Sequence, residues 1–249
     1  MTKAQWNYFS DFRNEFKSYC SKMNEKYSGL LAPLQIESRK KDTPEYPLEN
    51  SFVYNTALDD FTENSEIKLI VIGDNPGKDE QLSKNQKYLV GQSGKIAAGF
   101  FAKNPELQID FRKNAIILNK TPVHTAKTQH LKFLQKNGGK EIQDLILSSQ
   151  LYMAEKTALL HKNLLENGDG IFPEIWLVGY SELNKLFEAY KSGLKQFSTP
   201  ASWEKVFIFQ HFSMNRFSID LKNFRTASPS LSLIDSIHQL GKLHKAEFF

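Results

Sequence analysis

A chain of 249 residues with 40% hydrophobic and 24% charged side chains is long enough to bury one sizeable α/β core, and that composition excludes a disordered chain. The formal charge of +4, from 27 lysines and five arginines against the acidic residues, permits a polyanionic partner without requiring one. Cys20 is the only cysteine, which excludes a disulfide framework and a cysteine-held zinc or iron–sulfur centre; no apolar run approaches the ~18 residues of a membrane span, so a cytoplasmic protein without a membrane partner is expected.

Trp6, Phe9, Phe12, Phe16, Tyr19, Cys20, Met23 and Tyr27 recur at helical spacing and predict an amphipathic N-terminal helix. Residues 32–60 carry prolines at 33, 44 and 47 and the basic run Arg39-Lys40-Lys41, and read as an irregular surface segment. Ile67 to Ile72, in which only Lys68 is polar, reads as a buried parallel strand that breaks at Gly73 into Asp74-Asn75-Pro76-Gly77. Gly91-Gln92-Ser93-Gly94 opens a helix over 93–101 and offers a run of backbone donors. Residues 113–119 form a second strand, ending in Asn119-Lys120-Thr121-Pro122, and 140–167 a crossover helix.

A third strand spans 174–179, followed by a helix from a Ser181 cap through Tyr190. A fourth spans 205–209 and ends in Gln210-His211-Phe212-Ser213, and a last helix covers 228–245. Alternating strands and helices predict a three-layer α/β/α fold around a mainly parallel four-stranded sheet, in a single domain over 1–249 whose core is 67–217. Ligands bind such sheets beyond the carboxyl ends of the strands. Three of those ends bring polar groups to one rim: Asp74 and Asn75, Asn119, and His211.

Other chemistries fit less well. Gly73-x3-Gly77-Lys78 lacks the spacing of a nucleotide P-loop, and Ser93 and Ser213 lack a nucleophile elbow. The pairs His124/His130 and His238/His244 are six residues apart, not ligand spacing on one helix face, so no metal is expected. Asn119 also reads as a turn cap and His211 as a structural histidine.

At these motifs the chain resembles the uracil-DNA glycosylase superfamily. Gly73-Asp74-Asn75-Pro76-Gly77 matches its strand-Gly-polar-Pro-Gly motif, Tyr88-Leu89-Val90-Gly91-Gln92-Ser93-Gly94 a continuation known from the bacterial iron–sulfur branch, Ile116 to Asn119 its Asn-ended strand, and His211 to Arg216 its final His-x-Ser loop. The resemblance implies a monofunctional glycosylase of base excision repair, needing no cofactor, metal or Schiff-base lysine, that flips uracil or a related deaminated base out of DNA. It implies Asp74 or Asn75 for the water, with Asp74 favoured as base, Asn119 for the uracil O4/N3–H edge, and His211 for charge developing at O2.

Gly73, Pro76, Gly77, Tyr88, Leu89 and Tyr54 would line the base pocket; Gly91, Gln92, Ser93, Gly94, Ser213, Met214, Asn215 and Arg216 would meet DNA, with Met214 or Phe217 as a wedge. The protein would act as a monomer. Leu89 stands where the family stacks a Phe, and Phe212 where it has Pro; Tyr88 or Tyr54 are the substitute stacking rings. These departures keep two alternatives open: a nucleic-acid-binding protein without turnover, and an enzyme of free nucleosides or nucleotides.

Overall fold

A computed structural model describes residues 1–170 and 172–249. Four strands, β1 (Leu69–Gly73), β2 (Ala115–Asn119), β3 (Glu174–Val178) and β4 (Val206–Phe209), form one sheet in the order β2-β1-β3-β4, and every pairing is parallel. Almost every strand residue is buried, as expected when helices cover both faces of a parallel sheet. The fold is a three-layer α/β/α sandwich.

Among the described residues eight helices surround the sheet: α1 (Lys3–Arg39), α2 (Gln92–Lys103), α3 (His130–Asn137), α4 (Gly139–Glu166), α5 (Glu188–Phe197), α6 (Pro200–Glu204), α7 (Arg216–Ala227) and α8 (Leu233–Phe248). One face is aromatic. Trp176 of β3 stacks among Phe101 of α2, Phe209 of β4 and Phe217 of α7 at centroid separations of 5.0–5.7 Å, and His238 of α8 stacks on Phe207. On the other face α4 joins α1 and α5, with Gln5 donating to the Leu164 carbonyl and Gln150 to that of Leu186.

Several expected boundaries move. The N-terminal helix runs through Pro33 to Arg39 instead of giving way to irregular chain at residue 32. Pro33 leaves the Gly29 carbonyl without its helical donor, but Gly29 is exposed and water can serve it. Gln35, one residue past that turn, donates to the carbonyls of Ser51 and His124 and holds the last turn down. Arg39 is likewise not solvated: it is buried, lies 4.0 Å from the centre of the Tyr46 ring, and donates to the Tyr46 carbonyl. The helix expected from Ser181 begins only at Glu188, after a 3-10 turn over Tyr180–Glu182, and extends to Phe197. The last helix starts at Leu233, capped by Ser232. Residues 216–227, expected as loop at their start, are helix α7.

Candidate functional site

The carboxyl ends of β1, β2 and β4 open onto one cleft of about 590 Å3. Its lining includes Asp74, Asn75 and Gly77 beyond β1, Asn119 at the end of β2, and His211 and Ser213 beyond β4. Gly91, Gln92 and Ser93 at the start of α2 close one side, and Met214 and Arg216 another. The apolar run of β1 stops at Gly73, which lies in register with Asn119; a Cβ there would come within 2.5 Å of Asn119 Oδ1. Glycine at this position leaves room for the Asn119 side chain where it lies.

Asp74 is held from behind. The ammonium of Lys120, fully buried, donates to Asp74 Oδ1 at 2.5 Å and to the carbonyls of Val178 at 2.8 Å and Gly179 at 3.4 Å. Burial lowers the Lys120 pKa, and the adjacent Asp74 charge opposes that shift. The other oxygen, Oδ2, accepts from Thr128 at 3.3 Å. Gly179, just past β3, has φ +84°, and a Cβ on it would sit 2.8 Å from Asp74 Oδ1, so the missing side chain there makes room for the carboxylate. Removing one partner of such a buried pair costs about 3–5 kcal/mol.

Asn75 has a defined amide orientation. Its Nδ2 donates to the carbonyl of Val123 at 3.2 Å and to Thr125 Oγ1 at 2.8 Å; a backbone carbonyl can only accept, so the nitrogen must face Val123 and Oδ1 remains as the free acceptor. Asn119 is the opposite case. It is 2% exposed, and its Nδ2 is buried without a hydrogen-bond partner among the described residues. An unpaired buried donor costs about 1–3 kcal/mol, which an acceptor entering the cleft would recover.

His211 also has a fixed proton. The backbone N–H of Ser213 donates to Nδ1 at 3.0 Å, and Ser213 Oγ lies 2.8 Å from the same nitrogen. A backbone N–H only donates, so Nδ1 is an acceptor and the proton of the neutral ring sits on Nε2. Burial lowers the His211 pKa, opposed by Asp74 and reinforced by Lys120 and Arg216, and keeps the ring neutral. Phe212, fully buried against Phe217 at 5.0 Å, anchors the turn that presents this ring.

The wall at Leu89 is strained and braced. Leu89 adopts φ +54°, which costs a non-glycine residue roughly 1–2 kcal/mol. Its N–H donates to Glu80 Oε1 at 2.9 Å, the other Glu80 oxygen accepts from Gly77 N–H at 3.2 Å, and Arg112 donates to the carbonyls of Tyr88 and Leu89. Burial raises the Glu80 pKa to about 7 against the pull of its two backbone donors. Across the cleft, Met214 and Asn215 are consecutive left-handed residues, and Met214 is 68% exposed.

Several expected residues lie elsewhere. Tyr88 is fully buried with its hydroxyl on the Val53 carbonyl at 2.5 Å, and Tyr54 packs on Phe16 and donates to Asp59 at 2.8 Å; neither ring faces the cleft. Phe217 is buried in the aromatic face and offers no wedge. Gly73, Pro76, Gly94 and Asn215 support the rim without lining it: Pro76 is buried, its carbonyl accepting from Thr125 N–H, and Gly94 is buried at the start of α2.

Lys120 was legible as a strand-end lysine but not as a buried one. Residues 125–129, a Thr- and Lys-containing run after the second strand, also line the cleft. Asp42, just past α1, reaches the rim through Lys127 at 3.0 Å and His130 at 2.9 Å, so the N-terminal extension builds part of the site.

Among the described residues no group of three or more His, Cys, Asp or Glu side chains is gathered to hold a metal ion, and no helix is long and apolar enough to cross a membrane. Comparison of the chain with protein-family models, curated proteins and solved structures finds no match.

Proposed function

We propose that this protein is a monofunctional DNA glycosylase that hydrolyses the N-glycosidic bond of uracil or a related deaminated base. The observation that carries the reading is the pairing of donors with acceptors around one cleft, with His211 committed as a donor by the Ser213 N–H. His211 Nε2–H and the unpaired Asn119 Nδ2 are the donors; Asn75 Oδ1 and Asp74 Oδ2 are the acceptors. A flipped uracil offers carbonyl acceptors at O2 and O4, and the attacking water offers protons.

In this mechanism Asn119 donates to O4 and His211 to O2, while Asn75 and Asp74 hold the water. The water oxygen bonds to C1′ as the bond from C1′ to the base nitrogen breaks, and the electron pair leaves with the base. A water proton passes to Asp74 and finally to the departed base, which leaves free base and an abasic site. The His211 hydrogen bond strengthens as negative charge grows on O2, so it acts on the transition state more than on binding. Met214, at the exposed tip of its loop, is the wedge that fills the vacated stack, and Arg216 and the N–H groups of 91–93 contact phosphates.

A second reading has its own support. No Phe, Tyr or Trp lines the cleft, and Leu89 supplies none of the ~1–3 kcal/mol of base–aromatic stacking. That favours a nucleic-acid-binding protein without turnover. The deciding experiment incubates the protein with single- and double-stranded DNA containing one uracil, in EDTA and low salt, followed by alkaline cleavage of abasic sites. Cleavage establishes the glycosylase. Its absence on uracil, hypoxanthine and xanthine, with DNA still bound, establishes the binding protein.

A further inference from the structure

Lys120 lies behind the cleft, bonded to Asp74, and the mechanism above does not use it. Its ammonium has no solvent exposure, makes its hydrogen bonds to Asp74 Oδ1 and the Val178 and Gly179 carbonyls, and lies 5.1 Å from the centre of the Phe187 ring. A lysine so enclosed neither meets phosphate nor attacks a sugar. A purely structural role is also a poor account of it, because apolar side chains fill a sheet edge at lower desolvation cost than a buried ion pair.

We infer that Lys120 is a positioning residue for the hydrolysis: it fixes the Asp74 carboxylate by one oxygen, so that Oδ2 stays on the Thr128 side of the cleft, and it balances the Asp74 charge. The inference rests on the glycosylase reading. Two features of the geometry carry it. Oδ1 is occupied by the ammonium and wedged against Gly179, whose Cα leaves room for nothing larger, so the carboxylate has one orientation, with Oδ2 beside Thr128. The charge balance matters because the base leaves as an anion. A lone carboxylate at the cleft floor would repel it, whereas the Lys120–Asp74 pair is neutral as a unit.

The test is a double-mutant cycle of Lys120→Met and Asp74→Asn. Single-turnover excision is measured with protein in excess, and affinity is measured on the same DNA carrying an uncleavable 2′-fluorodeoxyuridine. Lys120→Met should slow excision by about 100-fold, the cost of a misplaced catalytic group, with affinity unchanged. In the Asp74→Asn background it should add nothing. Independent slowing by the two substitutions, or loss of affinity equal to the loss of rate, overturns the inference.

A second measurement needs no change at position 120 and no turnover. The nitrogen NMR signal of a buried lysine ammonium, slow to exchange with water, should appear in the unsubstituted protein and shift or vanish in Asp74→Asn. A signal indifferent to Asp74 overturns the inference even if Lys120→Met fails to fold. If the unsubstituted protein excises no base, the glycosylase reading fails, while the ammonium signal still reports whether Lys120 holds Asp74.

Discussion

The backbone N–H of Ser213 donates to Nδ1 of His211 at 3.0 Å, and this single contact determines which ring nitrogen faces a ligand. Because the donor cannot become an acceptor, protonating Nδ1 would break the contact, and the ring is held as a neutral Nε2–H donor. His211→Ala should lower the single-turnover rate by about 10²–10³-fold with little change in DNA affinity, as for removal of one oxyanion donor. With the folded pKa pushed below 6.5 by burial, the neutral ring persists as pH falls past 6.5, so the rate should hold there and drop only at lower pH. A pH–rate profile that breaks at 6.5 or above contradicts this.

In the proposed mechanism Asn75 and Asp74 divide the work on the water, and their variants separate it. Asn75→Asp places a charge where Oδ1 now accepts and removes the donor that Val123 and Thr125 require. It should lose activity as fully as Asn75→Ala. Asp74→Asn keeps the shape but not the charge and should cost about 10²–10⁴-fold, the usual contribution of a general base. Rates within about threefold of the unsubstituted protein for either would remove that residue from the mechanism.

Leu89→Phe would provide the missing ring. The backbone at φ +54° is already fixed by Glu80 and Arg112, so the larger side chain inherits the same direction. Affinity for DNA containing uracil should rise by about 1–3 kcal/mol relative to the same DNA with thymine. Equal gains on both DNAs would show that position 89 does not meet the base.

Half-buried Glu80 and buried His124, next to the loop after β1, should tilt stability in opposite directions. Glu80 has a folded pKa of about 7 against an ordinary 4.5, so its contribution is fully present below pH 4.5 and is lost as pH rises through 7. His124 donates from Nδ1 to the Pro76 carbonyl and accepts from the Tyr46 hydroxyl at Nε2, and burial pulls its pKa to about 4. Its contribution is present above 6.5 and is lost as pH falls through 4. Thermal melts of Glu80→Gln should therefore lose the decline between about pH 4.5 and 7 while retaining acid unfolding. A Glu80→Gln melting curve that still declines there would assign the decline to other groups.

Met214 stands exposed on two left-handed residues, and its substitution separates wedge from anchor. Met214→Ala should weaken excision from double-stranded DNA, where a vacated stack must be filled, more than from single-stranded DNA. Equal losses on the two substrates would show that the loop inserts into no duplex.

The sequence alone determined the strands and the rim. Short apolar runs bounded by glycine and proline specify buried parallel strands through their nearest neighbours, and the polar residues that follow them fall at the strand ends by chain geometry. Asp74, Asn75, Asn119 and His211 were legible for that reason. The tertiary structure decided which way the other polar and aromatic groups turn. Lys120 points inward because the carbonyls of Val178, the last residue of β3, and of Gly179 just past it accept from its ammonium, and β3 lies next to β1 in the sheet. Tyr88 turns in to the Val53 carbonyl, and Phe217 to the aromatic face, because partners far along the chain await them there. α1 continues through Pro33 because Gln35 finds Ser51 and His124. Periodicity reports a residue's neighbours within a turn or two, whereas burial at a strand end depends on strand order, which no local pattern encodes.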